Sequence, residues 1–199
     1  MAISRFLLLA ALFLTLLGMP AKGARPVVVL DPGHGGHDRG ATWGGVSEKT
    51  VTLSIARRVE RHLKVRGFTT AMTRRSDKFR SLDGRAAVAN RYKRSVFVSI
   101  HCNADPRRKA RGIETYYLGA RGRRLASSIH RSLDTRTSTP NRGLKCRHFA
   151  VLRKTCCPAA LVECGFISSA SERRLLTTAA YQDRVARAIA DGIARSVNG

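Results

Sequence analysis

Short apolar runs and longer amphipathic segments alternate along the chain. Residues 27–31 (VVVLD), 95–101 (SVFVSIH) and 159–166 (AALVECGF) are apolar at most consecutive positions. Unbroken apolar runs of this length are typical of strands whose two faces are both covered. We therefore expect these three segments to form the buried centre of a sheet.

The longer segments have the spacing of helices that bury one face. Within residues 47–66, apolar side chains stand four apart from Val51 to Leu63. The same spacing recurs in residues 120–136 and 180–197. Apolar positions four apart form one stripe along a helix, so these segments predict three amphipathic helices.

The remaining segments complete the pattern. They predict strands at 68–74, 112–119 and 148–155 and helices at 81–94 and 171–178. The strand at 112–119 alternates more than the others, which suggests a place near a sheet edge. Strands alternating with helices predict an α/β fold: a three-layer sandwich with a mixed, mostly parallel sheet between helices, in a single domain.

The first 23 residues have the layout of a secretory signal. A positive charge at Arg5 precedes an apolar run at 6–17, and Pro20 is followed by small residues up to Gly23. The run is about a dozen residues long, shorter than the ~20 that span a bilayer. We therefore expect a signal peptide at 1–23 and a domain at 24–199. The mature protein should be exported, to a periplasm, a cell wall or the medium, with no membrane span.

The chain is strongly basic, with 37 Lys and Arg against 13 Asp and Glu and a net charge of +24. Such a protein attracts polyanions, among them nucleic acid and anionic cell-wall polymers. Aromatic residues make up only 6% of the chain, and no basic segment is interleaved with stacking side chains. We therefore expect no specific nucleic-acid site. The candidate partner of the basic surface is an anionic cell-wall polymer, and we expect the protein to be a monomer.

Polar side chains follow the three buried strands. His34 lies in the turn DPGHGG just after the first strand, His101 ends the second, and Glu163 falls near the end of the third. In open α/β sheets, sites form at the carboxyl ends of strands. Each residue alone has a plainer explanation: a glycine turn for His34, a core histidine bonded to backbone for His101, and a salt-bridged carboxylate for Glu163.

Glu48 is the fourth candidate, and it heads the buried stripe of the first helix. Val51, Ile55 and Val59 follow it at helical spacing. A carboxylate favoured by the helix dipole after the N-cap Ser47 explains a glutamate in the first turn, but not one aligned with the apolar face. A buried carboxylate needs a partner, and a cation is one solution.

Together the four residues predict a metal hydrolase. Two histidines and a carboxylate are a good ligand set for catalytic zinc, which lowers the pKa of water to ~7. A further unligated glutamate can take the water's proton and return it to a leaving amine. We therefore expect His34, Glu48 and His101 to bind one Zn²⁺ ion, Glu163 to be the acid/base, and the reaction to be hydrolysis of an amide or ester.

Several segments carry a family resemblance, among them VVLDPGHGGHDRGA, SEKTVTLSIARRVERHL, MTRRSDKFRSLDGRAAVAN, VFVSIHCNADP, GIETYYLG and AALVECGF. The chain resembles the zinc-dependent N-acetylmuramoyl-L-alanine amidases of the amidase-3 type, which cleave bacterial peptidoglycan, over essentially its whole mature length. The resemblance implies zinc ligands at His34, Glu48 and His101 and a catalytic Glu163, in agreement with the assignment above. It also implies a six-stranded mixed sheet and, as substrate, the amide between N-acetylmuramic acid and L-alanine.

Two rival functions stay open at this point: a zinc peptidase acting within the stem peptide, and a basic exported protein that binds polyanions. His37 is expected to be a solvated loop histidine. Arg74, Arg85 and Asn90 are expected to be structural. Five cysteines leave at least one thiol unpaired, and Cys102 and Cys164 should lie just behind the metal site, paired or as packed thiols.

Overall fold

Helices cover both faces of a six-stranded sheet in the computed structural model, which describes residues 25–199. The signal peptide predicted at 1–23 lies outside the described residues. The strands are β1 (Val27–Pro32), β2 (Thr42–Trp43), β3 (Val46–Ser47), β4 (Thr70–Met72), β5 (Ser95–Asn103), β6 (Ile113–Tyr117), β7 (Asn141–Cys146) and β8 (Ala159–Phe166). The helices are α1 (Glu48–Val65), α2 (Leu82–Asn90), α3 (Gly119–Arg136), α4 (Ala150–Lys154), α5 (Ala170–Leu176) and α6 (Ala179–Asn198).

The large sheet has the strand order β4-β1-β5-β8-β6-β7. Strands β4, β1, β5 and β8 are parallel to one another, β6 pairs antiparallel with β8, and β7 is parallel to β6. The predicted mixed, mostly parallel sheet of six strands is therefore confirmed. The three strands predicted from unbroken apolar runs, β1, β5 and β8, are adjacent at its centre, and the more alternating β6 lies one strand from the edge.

The sheet has a separate hydrophobic core on each of its faces, so the fold has three layers. Alternate residues of β1 project to opposite faces, so Val28 packs with helices α1, α3 and α6 while Val29 packs with Phe97, Val151 and Leu161 near α2 and α4. The first core is the larger, because three long amphipathic helices contribute to it. Among residues 25–199, no helix combines the length and the apolar character needed to cross a membrane.

One predicted strand is wrong. Residues 148–155 contain the short helix α4, in which Arg153 N donates to Phe149 O at 3.0 Å. A single helical turn buries Val151 and Leu152 against the smaller core, so these two apolar residues do not require a strand. The edge strand is instead β7, which lies earlier in the chain. Its residues NRGLKC are mostly polar and half-exposed or exposed, so no apolar run marks it.

Asn90 and Arg74 connect elements, as expected of structural residues. The Asn90 side chain donates to Lys154 O at 3.0 Å and accepts from Cys156 N at 2.9 Å, which ties the end of α2 to the end of α4. Arg74 donates to Pro32 O at 3.1 Å and to Gly33 O at 2.8 Å. Through these contacts, the segment after β4 supports the loop that follows β1.

Candidate metal centre

A buried carboxylate fixes the base of the loop after β1. Asp31 is 1% exposed and accepts from Thr73 Oγ1 at 2.6 Å, Ser99 Oγ at 2.7 Å and Arg85 Nη1 at 2.9 Å. The same guanidinium donates to Pro32 O and, through Nη2, to His34 O, both at 2.8 Å. A buried charge that is fully hydrogen-bonded rigidifies its surroundings, so Asp31 and Arg85 hold this loop in one conformation.

His34 itself adopts an unusual backbone conformation. Its φ is 61°, in the left-handed region that residues other than glycine rarely enter. Reciprocal backbone hydrogen bonds between Gly35 and Asp38, of 2.8 and 3.2 Å, close the turn around it. Strain of this kind persists where the surrounding contacts enforce it, and it is concentrated at functional sites. The turn thereby presents the His34 ring to the carboxyl end of the sheet.

The three predicted ligands meet at this end. Glu48 is 4% exposed, and its Oε2 lies 3.0 Å from His34 Nε2 while its Oε1 lies 2.9 Å from His101 Nδ1. One ligand atom from each residue can be chosen so that all lie within 4.8 Å of one another. Side chains from the β1 loop, the start of α1 and the end of β5 are thus brought to one point.

Backbone groups fix the central carboxylate. Glu48 Oε2 accepts from Ala41 N at 2.9 Å, and Oε1 accepts from Cys102 N at 3.0 Å. Gly40 lies against the other side, because a Cβ built on it would stand 2.5 Å from His34 Cδ2 and 2.6 Å from Glu48 Oε2. Any larger residue at position 40 would therefore displace two of the three candidate ligands.

The charges within the cluster support one another. Burial opposes ionisation of Glu48, but hydrogen bonds from His101 and His34 outweigh it and hold the pKa of this carboxyl well below its usual range. Burial alone would lower the pKa of both histidines, yet the Glu48 carboxylate raises the pKa of each. An ionised carboxylate therefore sits between two nitrogen donors, as the ligand set of a divalent cation requires.

Glu163 lies beside the cluster with a free oxygen. It is the Cα partner of His101 across strands β5 and β8, and its Oε2 is buried without a hydrogen-bond partner. Burial raises the pKa of Glu163 to about 7, an effect that His101 opposes and the negative charge of Glu48 reinforces. A carboxyl that exchanges its proton near neutral pH is suited to general acid–base catalysis.

Asp38 contacts a candidate ligand, although no role is predicted for it from the sequence. Both of its carboxylate oxygens lie 2.9 Å from His34 Nδ1. A carboxylate on one ring nitrogen fixes the tautomer and orientation of the imidazole, which directs Nε2 towards Glu48. The sequence does show a carboxylate four residues after His34. The spacing alone does not indicate a contact between them, because the contact depends on the tight turn that lies between the two residues.

Other nearby residues stay outside the cluster. The His37 ring stacks on Phe79 with the ring centroids 4.2 Å apart, so His37 is occupied by a loop contact. Cys102 and Cys164 are buried in the larger core directly after His101 and Glu163, and both are free thiols. The prediction that they lie behind the site agrees with this placement.

The donor set matches the chemistry of zinc. Two imidazole nitrogens and one carboxylate form the open three-ligand set that is typical of catalytic zinc sites. The orphaned oxygen of Glu163 is the second observation in favour of a cation-assisted reaction, since a buried polar atom without a partner is rare in native proteins. The residues present therefore fit a single zinc ion with a proton carrier beside it.

Comparison with known proteins places this geometry in a family. The amidase-3 family model, described as N-acetylmuramoyl-L-alanine amidase, matches residues 28–195. N-acetylmuramoyl-L-alanine amidase LytC of Bacillus subtilis is 39% identical over 169 residues, which are 83% of this chain and 34% of LytC. The catalytic domain of the amidase CwlV from Bacillus (Paenibacillus) polymyxa has a TM-score of 0.84 at 38% identity, covering 87% of this chain and 98% of that domain.

A second solved amidase structure has the same fold. The amidase AmiC2 of Nostoc punctiforme also has a TM-score of 0.84 at 38% identity and covers 88% of this chain and 99% of its own. The chain spans about a third of the length of LytC but nearly the whole of both solved amidase structures. Since the family model covers most of the sequence and the solved folds match over 87% and 88% of it, the chain belongs to the amidase-3 family of N-acetylmuramoyl-L-alanine amidases.

Proposed function

We propose that the protein hydrolyses the amide bond between N-acetylmuramic acid and L-alanine in peptidoglycan and depends on one zinc ion, in the service of cell-wall remodelling or the separation of daughter cells. The observation that carries this proposal is the unpartnered Oε2 of Glu163 beside the cluster of His34, Glu48 and His101. The family membership supplies the substrate.

In this proposal His34, Glu48 and His101 hold the zinc, and Asp38 keeps His34 in the binding tautomer. When bound, zinc supplies Lewis-acid chemistry that polarises a carbonyl and makes water nucleophilic at neutral pH. The backbone donors at Ala41 and Cys102 hold the Glu48 carboxylate in place. The rigid loop below His34 keeps the geometry constant while substrate enters and leaves, which is the advantage of a preorganised site.

Glu163 moves the proton. It accepts a proton from the attacking water, whose oxygen bonds to the carbonyl carbon, and it returns that proton to the nitrogen of L-alanine as the C–N bond breaks. The products are a free carboxylate on the lactyl group and a free amino group on the stem peptide. A pKa of about 7 lets Glu163 act in both directions near neutral pH.

Export belongs to the proposal as well. Residues 1–23 act as the signal peptide, and the mature monomer works in the periplasm, in the cell wall or outside the cell. Mass determination of the protein secreted by an expressing cell tests the cleavage point. A mature chain that begins next to Gly23 supports export by this segment, and an intact first segment in exported protein contradicts it.

A basic face is the proposed contact for an anionic cell-wall polymer. Lys93, Arg94, Arg121 and Arg124 line a cavity of about 400 Å³, and Arg123, Arg124, Arg131 and Arg195 line an adjoining one of about 580 Å³. No Asp or Glu side chain of the described residues lines either cavity. Soluble polyphosphate is the probe for this contact. The contact is supported if binding weakens with added salt and in the variant Arg121→Gln/Arg124→Gln, but not in the control variant Arg184→Gln/Arg187→Gln.

Digestion of purified peptidoglycan tests the enzymatic function. We expect intact stem peptides with new L-alanine amino ends, identified by mass, and no release by Glu163→Gln. Shortened stem peptides would favour a zinc peptidase. The absence of any release, with tight and salt-sensitive polyanion binding, would favour a binding protein.

A further inference from the structure

A second buried carboxylate stands next to Glu163. Glu114, on β6, is the Cα partner of Glu163 on β8, and it is 3% exposed. Residues directly opposite each other on antiparallel strands project to the same face of the sheet. Glu114 therefore lies beside the proposed proton carrier, on the side that leads to the sheet edge at β7.

Four side chains satisfy this carboxylate. Arg142 Nε and Lys145 Nζ, both from β7, each donate to Glu114 Oε1 at 2.7 Å. Asn103 Nδ2 donates to Oε2 at 2.9 Å, and the Tyr116 hydroxyl donates to the same oxygen. Burial would raise the pKa of Glu114, but Lys145, Tyr116 and Arg142 bring it to about 2, so this group is a fixed negative charge.

Arg142 and Lys145 use only part of their charge and of their hydrogen-bond donors on Glu114. One carboxylate faces two positive charges, which leaves a net charge of +1 on the group of three. Arg142 commits only its Nε to Glu114, so the N–H groups on its two terminal nitrogens remain, and Lys145 commits one of three donors. Their side chains are 38% and 31% exposed. Positive charge and spare donors therefore face solvent close to the reacting position.

We infer that Arg142 and Lys145 bind a carboxylate on the stem peptide, borne by the residue that follows L-alanine, and thereby select anionic stems. The inference rests on the proposed function and assigns a specificity role to residues of that same site. Glu114 is a positioning residue in it, because it holds both cations while leaving their outer donors free.

The distances are of the right size. Neighbouring strands lie roughly 5 Å apart, so the β7 cations stand about one to two strand spacings from Glu163. An extended chain advances about 3.5 Å per residue, so a carboxylate one residue beyond L-alanine lies roughly 5–8 Å from the bond that is cut. A stem peptide running from Glu163 across β6 would bring its first carboxylate to Arg142 and Lys145.

The opposite side of the metal centre has a different character. A cavity of about 320 Å³ there is lined by His34 and His101, by two acidic and two basic residues, and by three apolar ones: Asp31, Asp38, Arg80, Arg85, Phe79, Leu82 and Val151. Phe79 and Leu82 are among the few large apolar side chains that are exposed. Positive and negative residues are equal in number on this side, whereas the β7 side has an excess of positive charge, so the β7 side is the better contact for an acidic peptide.

The test compares two soluble muropeptides that differ only in the residue after L-alanine, which carries either a free α-carboxylate or the α-carboxamide. We expect the wild-type kcat/KM to be about tenfold to hundredfold higher for the free acid, because hydrogen bonds between charged groups are the stronger ones. Arg142→Met/Lys145→Met/Glu114→Gln should reduce that ratio towards one while the carboxamide is still cleaved. The triple variant includes Glu114→Gln so that no ionised carboxylate stays buried after its two cationic partners have been removed.

Two further variants sharpen the result. Glu114→Gln alone keeps an oxygen that can position both cations but removes the charge that partly neutralises them, so it should raise the preference for the acid, whereas Arg187→Met removes an exposed charge on α6 and should leave the ratio unchanged. Equal rates of the wild-type protein on both substrates, or an unchanged ratio in the triple variant, would overturn the inference. Calorimetric titration with the two product dipeptides needs no turnover. Tighter binding of the acid supports the cation site even if cleavage fails and the proposed function falls, and equal binding overturns it.

Discussion

His101 and Glu163 are direct partners on neighbouring parallel strands, so a candidate metal ligand and the proposed proton carrier share one level of the sheet. Their side chains leave adjacent strands towards the same face, since partners in register have the same orientation. The distance between metal and proton carrier is therefore set by strand pairing, which is one of the most rigid features of a fold.

Replacing the proton carrier should separate binding from turnover. Glu163→Gln keeps the size of the side chain and removes its ability to carry a proton, so we expect kcat to fall by about 10²–10⁴ while zinc content stays at one ion per chain. Rate measurement with metal analysis by mass spectrometry checks both. Glu60→Gln, the same change on the far part of α1, should keep full activity at pH 7; wild-type turnover in Glu163→Gln would refute the assignment.

Metal removal should abolish activity and leave the fold. The strands that carry the ligands are anchored by two cores that do not include the site, so chelation should change the circular dichroism spectrum little. Activity should return on addition of one equivalent of zinc. Unfolding on chelation would show instead that the metal is a structural element.

Asp38 should tune zinc affinity. Asp38→Asn removes the charge that holds His34 Nδ1, and losses of a partner to a ligating histidine typically reduce metal affinity by about 10–100-fold. Competition with a chromogenic chelator measures the change. Asp83→Asn, at an exposed carboxylate that pairs with Lys154, is the matched control and should bind zinc as the wild type does.

The buried pair beneath the loop should dominate stability. Asp31→Asn leaves the Arg85 guanidinium buried without its counter-charge, which typically costs about 3–5 kcal/mol. Urea unfolding measures this cost. Asp83→Asn, at the surface, should cost less than about 1 kcal/mol. A comparable small loss in Asp31→Asn would mean that the hydroxyl donors Thr73 and Ser99 carry the network.

Stability should fall in acid through Glu60. Hydrogen bonding from Arg75 lowers the pKa of Glu60 to about 2, against the opposing effect of burial. A folded-state pKa below the unfolded value gives stabilisation that is present above about pH 4.5 and is lost as the pH falls towards 2. Because Arg75 and Lys64 are largely exposed, we expect an effect on the order of 1 kcal/mol.

Urea midpoints at pH 6 and pH 2.5 provide the measurement for that prediction. The difference in stability between wild type and Glu60→Gln should be present in full at pH 6 and fall to well under half of that value at pH 2.5. A constant difference across this range would show that Glu60 acts through packing or through its hydrogen bond with Thr70, and not through its charge.

The central part of the fold could be predicted because burial leaves a clear mark on sequence. Strands β1, β5 and β8 are covered on both faces, and α1 buries one regular stripe that Glu48 heads. The short helix α4 and the edge strand β7 could not be predicted, since two apolar residues fit a helical turn or a strand equally well and an exposed edge needs no apolar run.

The sequence indicated which candidate residues would lie near one another, but not the contacts that support them. His34, Glu48, His101 and Glu163 stand at ends of elements that periodicity locates. Turn geometry determines the left-handed backbone of His34 and the contact of Asp38 with its ring. Strand pairing determines the position of the cations around Glu114. Pairings between distant segments have no local signature in the chain.

The candidate site combines residues from early and late parts of the chain. His34, Glu48 and His101 all precede β6, whereas Glu163 lies in β8, the last strand to be synthesised. A chain that has not yet delivered β8, or that has been cut before it, has the metal ligands but lacks the proton carrier and a central strand of the sheet. Completion of the candidate site is therefore tied to completion of the fold.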